Sequence, residues 1–302
     1  MDRTALAARL ADVIAIPVAP YDADGSLDPD TYAKLARRLV DAGIGVLTPN
    51  GNTGEYYALS PAERRQALEV TVDAAAGEAE VLAGVGHDVP SAIEEARHAA
   101  AAGASMIMIH QPVHPYVSLQ GWIDYHAAIA QGVPETGVVL YLRDARVGGE
   151  EIRRLADAAP NVIGVKYGVA NPVRFAAVAR DAGLDRFTWI AGLAEMAAPS
   201  CWAVGARGFT SGLVNVSPEI SLRMRDALRA EDYPAAMAVW ELIRPFEDLR
   251  AADSSANNVS VVKEALAQLG LCRRDVRPPS SPLSPAQRQQ VADALASWNR
   301  AG

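Results

Sequence analysis

The sequence predicts an α/β fold, a (β/α)8 TIM barrel followed by a C-terminal helical domain, on three observations. Short apolar runs recur between residues 13 and 212. Each is followed by a helix-like stretch, the pattern of parallel strands joined by crossover helices. Past about residue 228 the strand signal stops and only helical segments follow. These boundaries divide the chain into a (β/α)8 barrel over 1–228 and a C-terminal helical domain over 229–302. No G-x-G-x-x-G follows the first run, which argues against a doubly wound sheet.

The apolar runs open with "VIAIPVAP" (13–20), "GIGVLTPNG" (43–51), "EVLAGVGHD" (80–88) and "SMIMIHQP" (105–112). They continue with "GVVLYLRD" (137–144), "VIGVKYG" (162–168), "FTWIAGL" (187–193) and "GFTSG" (208–212). Between them, "DPDTYAKLARRLVDAG" and "PSAIEEARHAAAAG" are amphipathic and end at glycine, as helix C-termini prefer. Further on, "SLRMRDALRAEDYPAAMAVWELIRPFEDLR" and "VVKEALAQLG" read as helices and "RPPSSPLSP" as a loop. Ser284-Pro285 opens a last amphipathic helix.

Of the 302 residues 50 % are hydrophobic and 21 % charged, a globular composition with enough apolar mass for a large core. The net charge of -8 argues against nucleic acid and against an anionic membrane surface, without excluding an anionic small-molecule substrate. Cys201 and Cys272 form no C-x-x-C pair, which suits a reducing cytoplasm. The first twenty residues lack the long apolar core of a signal peptide, because Asp12 interrupts it and Pro17 follows. No stretch approaches the roughly 20 apolar residues of a membrane span.

One residue conflicts with its surroundings. Lys166 lies in the middle of "NVIGVKYGVA", a run that suits a doubly covered parallel strand. Burying an ammonium costs several kcal/mol unless it is paired or loses its proton. By alternation Val162, Gly164, Lys166 and Gly168 share one face, and Ile163, Val165 and Tyr167 the other. Two glycines leave space around the amine. Desolvation lowers its pKa and makes it nucleophilic, as a Schiff-base lysine requires. A lysine snorkelling at a strand end, or one paired with a buried carboxylate, is the structural alternative.

The same parity turns Tyr141 inward beside Lys166, where a phenol can move protons; a core tyrosine is equally compatible. Arg143 and Arg146 follow that strand, and two guanidiniums at a barrel mouth suit a carboxylated substrate. Salt bridges to Asp144 or Glu150 would occupy them instead. After the second run, "PNGNTGEYYALSP" offers Gly51 and Gly54 for tight turns, with Asn52 and Thr53 as polar groups fit to hold a carboxylate. His87 and His110 end the third and fourth runs, and His114 lies four residues beyond His110. Pro112 stands between them, so the pair is not a helical metal motif. "GARGFTSG" (205–212) reads either as a phosphate cradle or as a glycine-rich strand with turns.

With these residues in view, the chain resembles the dihydrodipicolinate synthase / N-acetylneuraminate lyase superfamily of Schiff-base aldolases and lyases. The resemblance runs from "IAIPVAPYDADGSLD" through "GNTGE", "VVLY" and "GVK" to "VVKEALAQLGL". It implies a barrel with a C-terminal helical domain, a homo-oligomer (tetramer or dimer), no cofactor and no metal. It implies Lys166 as the Schiff-base lysine and Tyr141 as the proton-transfer tyrosine, with Thr53 and its loop holding the carboxylate of a 2-oxo acid. Asn52, Gly54, Arg143, Arg146, Gly192 and Ser211 complete the implied substrate-binding set, with His114 as a further candidate. The synthases carry a second hydroxyl residue where Asn52 stands and a tyrosine where His114 stands. Their Y-N-V-P is "YLRD" (141–144) here, and their acidic pair after Gly192 is Leu193 and Ala194. "YLRD" and "AGLAE" are more similar to the 5-dehydro-4-deoxyglucarate dehydratase branch, though Leu142 and Tyr167 depart from it. The expected activity is dehydration or retro-aldol cleavage of a 2-keto-3-deoxy sugar acid. Pyruvate condensation with an aldehyde, or 2-oxo-acid binding without turnover, are the alternatives.

Overall fold

The computed structural model describes residues 2–301. The chain begins with α1 (Arg3–Arg9), β1 (Val13–Ala15), α2 (Pro29–Asp41), β2 (Val46–Leu47), α3 (Pro61–Ala75), β3 (Glu80–Val85), α4 (Val89–Ala102) and β4 (Met106–Ile109). It continues with α5 (Leu119–Gln131), β5 (Gly137–Leu142), α6 (Gly149–Ala158), β6 (Val162–Tyr167), α7 (Pro172–Ala182), β7 (Thr188–Ala191), α8 (Ala194–Ala203) and β8 (Gly208–Ser211). Four helices follow: α9 (Pro218–Arg229), α10 (Tyr233–Ser255), α11 (Asn258–Gln268) and α12 (Pro285–Ala301). The strands close a barrel in chain order, β1 to β8. The ladders from β2 to β8 are parallel. Among the described residues no helix is long and apolar enough to cross a membrane.

Each apolar run contains one strand, but the first two strands are short. β1 has three residues, and Pro17 and Pro20 deny the rest of its run the N–H donors a ladder needs. The helices start where side chains satisfy their orphan amides. Asp28, Ser60, Asp88, Asn171 and Asp232 each accept a first-turn N–H, and each is followed within two residues by proline. Such a cap contributes about 1 kcal/mol, and the fixed φ of proline favours the first turn.

Two features depart from the periodic reading. Helix α1, capped by Asp2, precedes the barrel; Leu6 and the following Leu10 join the core with Ile14, Val46, Leu82, Met106, Met108, Val139, Tyr141, Ile163 and Ile190. Strict alternation also fails in β6. Val138 pairs with Val162 but Val139 pairs with Gly164, so Ile163 is an extra residue and enters that core instead of the outer face. Beyond the bulge the alternation holds. Tyr167 faces outward against Phe175 of α7, ring centroids 5.1 Å apart.

The chain forms two compact units, and they do not divide at residue 228. The first takes residues up to Ile14, Gly45–Thr48 and Gly77–Thr210; the second takes Ala15–Ile44, Pro49–Ala76 and everything from Ser211 on. Within the second unit, Arg38 of α2 donates to the carbonyls of Asn215 and Val216 at 2.6 and 3.0 Å. Asn215 Nδ2 donates to the carbonyl of Ile16 at 2.8 Å. The segment after β8 is thus bonded to residues far earlier in sequence, links that no local pattern announces. Phe246 of α10 stacks edge-on against Trp298 of α12 at 5.1 Å.

Candidate active site

Strand β6 places Lys166 in register with Tyr141 on β5 and Ile190 on β7. The lysine is 2 % exposed, and its Nζ lies 4.2 Å from the centre of the Tyr141 ring. Among the described residues no carboxylate forms an ion pair with it. Burial pushes its pKa down from 10.5 to about 7, and the positive charge of Arg143 adds to the shift. At neutral pH a large share of the side chain is therefore the free amine, the form that attacks a carbonyl.

Glycines let the neighbouring chains approach this amine. A Cβ on Gly168 would lie 3.0 Å from Tyr141 Cε2 and 3.2 Å from Arg143 Cγ. A Cβ on Gly192 would lie 2.7 Å from the Tyr167 carbonyl oxygen, which already accepts the Gly192 N–H at 2.8 Å. Lys166, Tyr141, Arg143 and Gly192 thus belong to one neighbourhood at the ends of β5, β6 and β7.

Two residues there were not singled out in their structural role. His110, fully buried at the end of β4, sets its ring edge-on to Tyr141 at 6.1 Å. Gln111 Nε2 donates to the Tyr141 carbonyl. Their positions immediately after an apolar run were the available signal.

Other candidates stand elsewhere. Arg146 is largely exposed and grips Asp144, with Nη2 to Oδ2 at 2.6 Å and Nε to both oxygens at 3.1 Å. That contact holds the Asp144 carboxyl below its usual range. His114 is exposed, its Nδ1 2.9 Å from the carbonyl of Tyr116. In the glycine-rich run before β8, Gly208 is required by contact: a Cβ there would lie 2.2 Å from the Leu10 carbonyl oxygen.

In the second unit, Asn52–Gly54 form a single 3-10 turn. The Gly54 N–H donates to the Gly51 carbonyl at 3.0 Å, and Thr53 is buried. The glycines do not supply the left-handed conformation here. Asn50 and Glu55 carry it, at φ 60° and 56°. Gly54 is needed because a Cβ would meet the Pro17 carbonyl oxygen at 2.9 Å. Thr53 Oγ1 borders Gly212, 3.1 Å from where a Cβ would stand. Ser211 is fully buried, and its oxygen accepts the Val214 N–H at 2.9 Å, so it caps the turn after β8.

Residues 9–297 match the family model described as the dihydrodipicolinate synthetase family. The chain belongs to that family. A 5-dehydro-4-deoxyglucarate dehydratase of Pseudomonas putida is 30 % identical over 287 residues, 94 % of this chain and 93 % of the relative. A 4-hydroxy-tetrahydrodipicolinate synthase of Sorangium cellulosum is 33 % identical over 284 residues, 92 % of each chain. The crystal structure of a dihydrodipicolinate synthase from Bacillus clausii superposes with a TM-score of 0.94 at 40 % identity, covering 97 % of this chain and 99 % of that one. Within the dihydrodipicolinate synthetase family, then, the chain is similar both to dehydratases and to synthases.

Proposed function

We propose that this chain is a class I lyase that joins Lys166 to a 2-oxo acid as a Schiff base and dehydrates a 2-keto-3-deoxy sugar acid, as a 5-dehydro-4-deoxyglucarate dehydratase does. The observation that carries the reading is the buried amine of Lys166 against Tyr141, paired with no carboxylate among the described residues and with its pKa brought to about 7. The free Nζ attacks the ketone carbon; the carbinolamine then loses water to give a protonated imine. The imine takes up the electron pair of the adjacent C–H bond as its proton leaves. The resulting enamine expels the hydroxyl on the next carbon, which departs as water once protonated. Hydrolysis of the imine then returns the amine. Tyr141 is the proton carrier in these steps. The Thr53 turn binds the carboxylate of the 2-oxo acid in this reading, which the family resemblance supports. Arg143, which already acts on Lys166 electrostatically, is assigned to a second acidic or hydroxylated end of the substrate.

A second reading, pyruvate condensation with an aldehyde, is favoured by the Sorangium and Bacillus similarities. Turnover decides between them. The purified protein is given 5-dehydro-4-deoxyglucarate, and separately pyruvate with aspartate semialdehyde, and products are followed by mass spectrometry. Consumption of the sugar acid with loss of water supports the dehydratase; turnover of the pyruvate pair alone supports the synthase. Trapping of a 2-oxo acid without turnover of either would leave a binding barrel. We further propose a cytoplasmic homo-oligomer, tetramer or dimer, on the family resemblance. Residues 229–302 are its appended helical domain in the sense of sequence order.

A further inference from the structure

We propose that Lys263 and Arg250, both from the C-terminal helices, are positioning residues that set the carboxylate-binding geometry of the Thr53 turn. The proposal rests on the role given to that turn above. All the groups involved lie in the second unit.

Glu55 follows the turn directly in left-handed backbone, a conformation an L residue keeps only when neighbours enforce it. Its carboxylate is held on both oxygens. Oε2 meets Lys263 Nζ at 2.5 Å, with both side chains almost fully buried, and Oε1 accepts the Arg277 N–H at 2.8 Å. Lys263 donates also to the Asp275 carbonyl at 2.8 Å and lies 3.8 Å from the centre of the Tyr21 ring. The Arg277 guanidinium lies 4.3 Å from the same ring and grips Glu63, Nη2 to Oε1 at 2.5 Å and Nη1 to Oε2 at 2.9 Å. Glu63 is itself part of the capping box of α3. The C-terminal side of the turn is therefore fixed to α11, to residues 275–277 and to α3.

Arg250 closes the other side. A Cβ on Gly212 would lie 2.4 Å from Arg250 Nη2 and 3.1 Å from Thr53 Oγ1, so the guanidinium and the hydroxyl border the same glycine. The guanidinium is buried and held by Glu247 at 2.6 Å and by Asn258 Oδ1 at 2.6 Å. A hydroxyl that binds a carboxylate has to be held closely, since a displacement of about 1 Å can cost a hundredfold in function. Removing one partner of a buried ion pair leaves the other uncompensated, and the backbone shifts to solvate it. The helices thus belong to the carboxylate-binding apparatus.

The test compares borohydride trapping at Lys166 by pyruvate with trapping by hydroxyacetone, a ketone without a carboxylate, in the full chain. In Lys263→Met the half-saturating pyruvate concentration is expected to rise about tenfold or more, with the hydroxyacetone dependence unchanged within about twofold. Arg250→Gln is expected to shift in the same direction, and Arg250→Lys to restore part of the loss. A general packing role would instead weaken both ketones alike. Equal effects on the two, or an unchanged pyruvate dependence, overturn the proposal. If Lys263→Met does not fold by circular dichroism, the two Arg250 variants carry the test. A wild-type protein that no 2-oxo acid labels would overturn the functional reading and this inference with it; labelled wild type without the split overturns the inference alone.

Discussion

Under the proposed function, the burial of Lys166 gives up stability for chemistry. Its pKa is about 7 in the folded protein against 10.5 unfolded, so between those values the unfolded chain binds a proton that the folded one does not. Stability therefore rises with pH across this window, by up to about 1.4 kcal/mol per pH unit from this group. Lys166→Met should flatten that rise in urea titrations and, by the same linkage, gain roughly 4 kcal/mol at pH 7, while forming no adduct. A variant less stable than wild type would show that the lysine is structural. The same pKa sets the kinetics: with a 2-oxo acid at fixed concentration, imine formation should speed up as pH rises through about 7 and level off above it. A rate still climbing towards pH 10 would contradict a depressed pKa. Tyr141→Phe keeps the ring over the amine but removes the phenol, and should slow imine formation by about a hundredfold in stopped-flow measurements. An unchanged rate would place the proton carrier elsewhere. Lys166 was legible because a charge stood in an apolar run and the same-face positions on either side of it, 164 and 168, were glycine. Arg146 and Asp144 were legible only as alternatives, since sequence spacing does not show which of two partners an arginine takes.

At the scale of elements, the eight strands were readable from apolar runs because both faces of a parallel barrel strand are covered. What was not readable is the set of close approaches. The bulge at Ile163 adds one residue without changing composition, and α1 hid in a segment whose only conspicuous property was the absence of a signal-peptide core. Gly54, Gly192 and Gly208 mark places where backbone meets backbone, yet in the sequence they look like any turn glycine. This makes Gly192→Ala informative: its methyl would stand 2.7 Å from the Tyr167 carbonyl oxygen. It should cost about 1–3 kcal/mol in chemical denaturation, by overpacking, and should slow the reaction at Lys166 because β6 has to shift. A stable variant with full reactivity would mean that the β6–β7 spacing near the lysine is soft.

For the whole molecule, the last barrel strand ends at Ser211 and only helices follow, but compactness follows a different line. Residues 15–44 and 49–76 cluster with the C-terminal helices, through links such as Arg38 to Asn215 and Lys263 to Glu55. These contacts span long stretches of chain, and neither propensity nor periodicity encodes their partners. The net charge of -8 coexists with arginines gathered after β5, so overall charge argues against polyanions without excluding an anionic substrate. Family membership follows from residues 9–297 as a whole. Choice of substrate does not, because the chain is similar both to a dehydratase and to a synthase over nearly the same residues.

The most direct test of the central claim is borohydride reduction in the presence of 5-dehydro-4-deoxyglucarate or pyruvate, followed by intact-mass and peptide mass spectrometry. The account predicts one adduct per chain, located on Lys166 and absent from Lys166→Met. Folded protein that takes up no label from either acid, or takes it on a lysine other than Lys166, would contradict it.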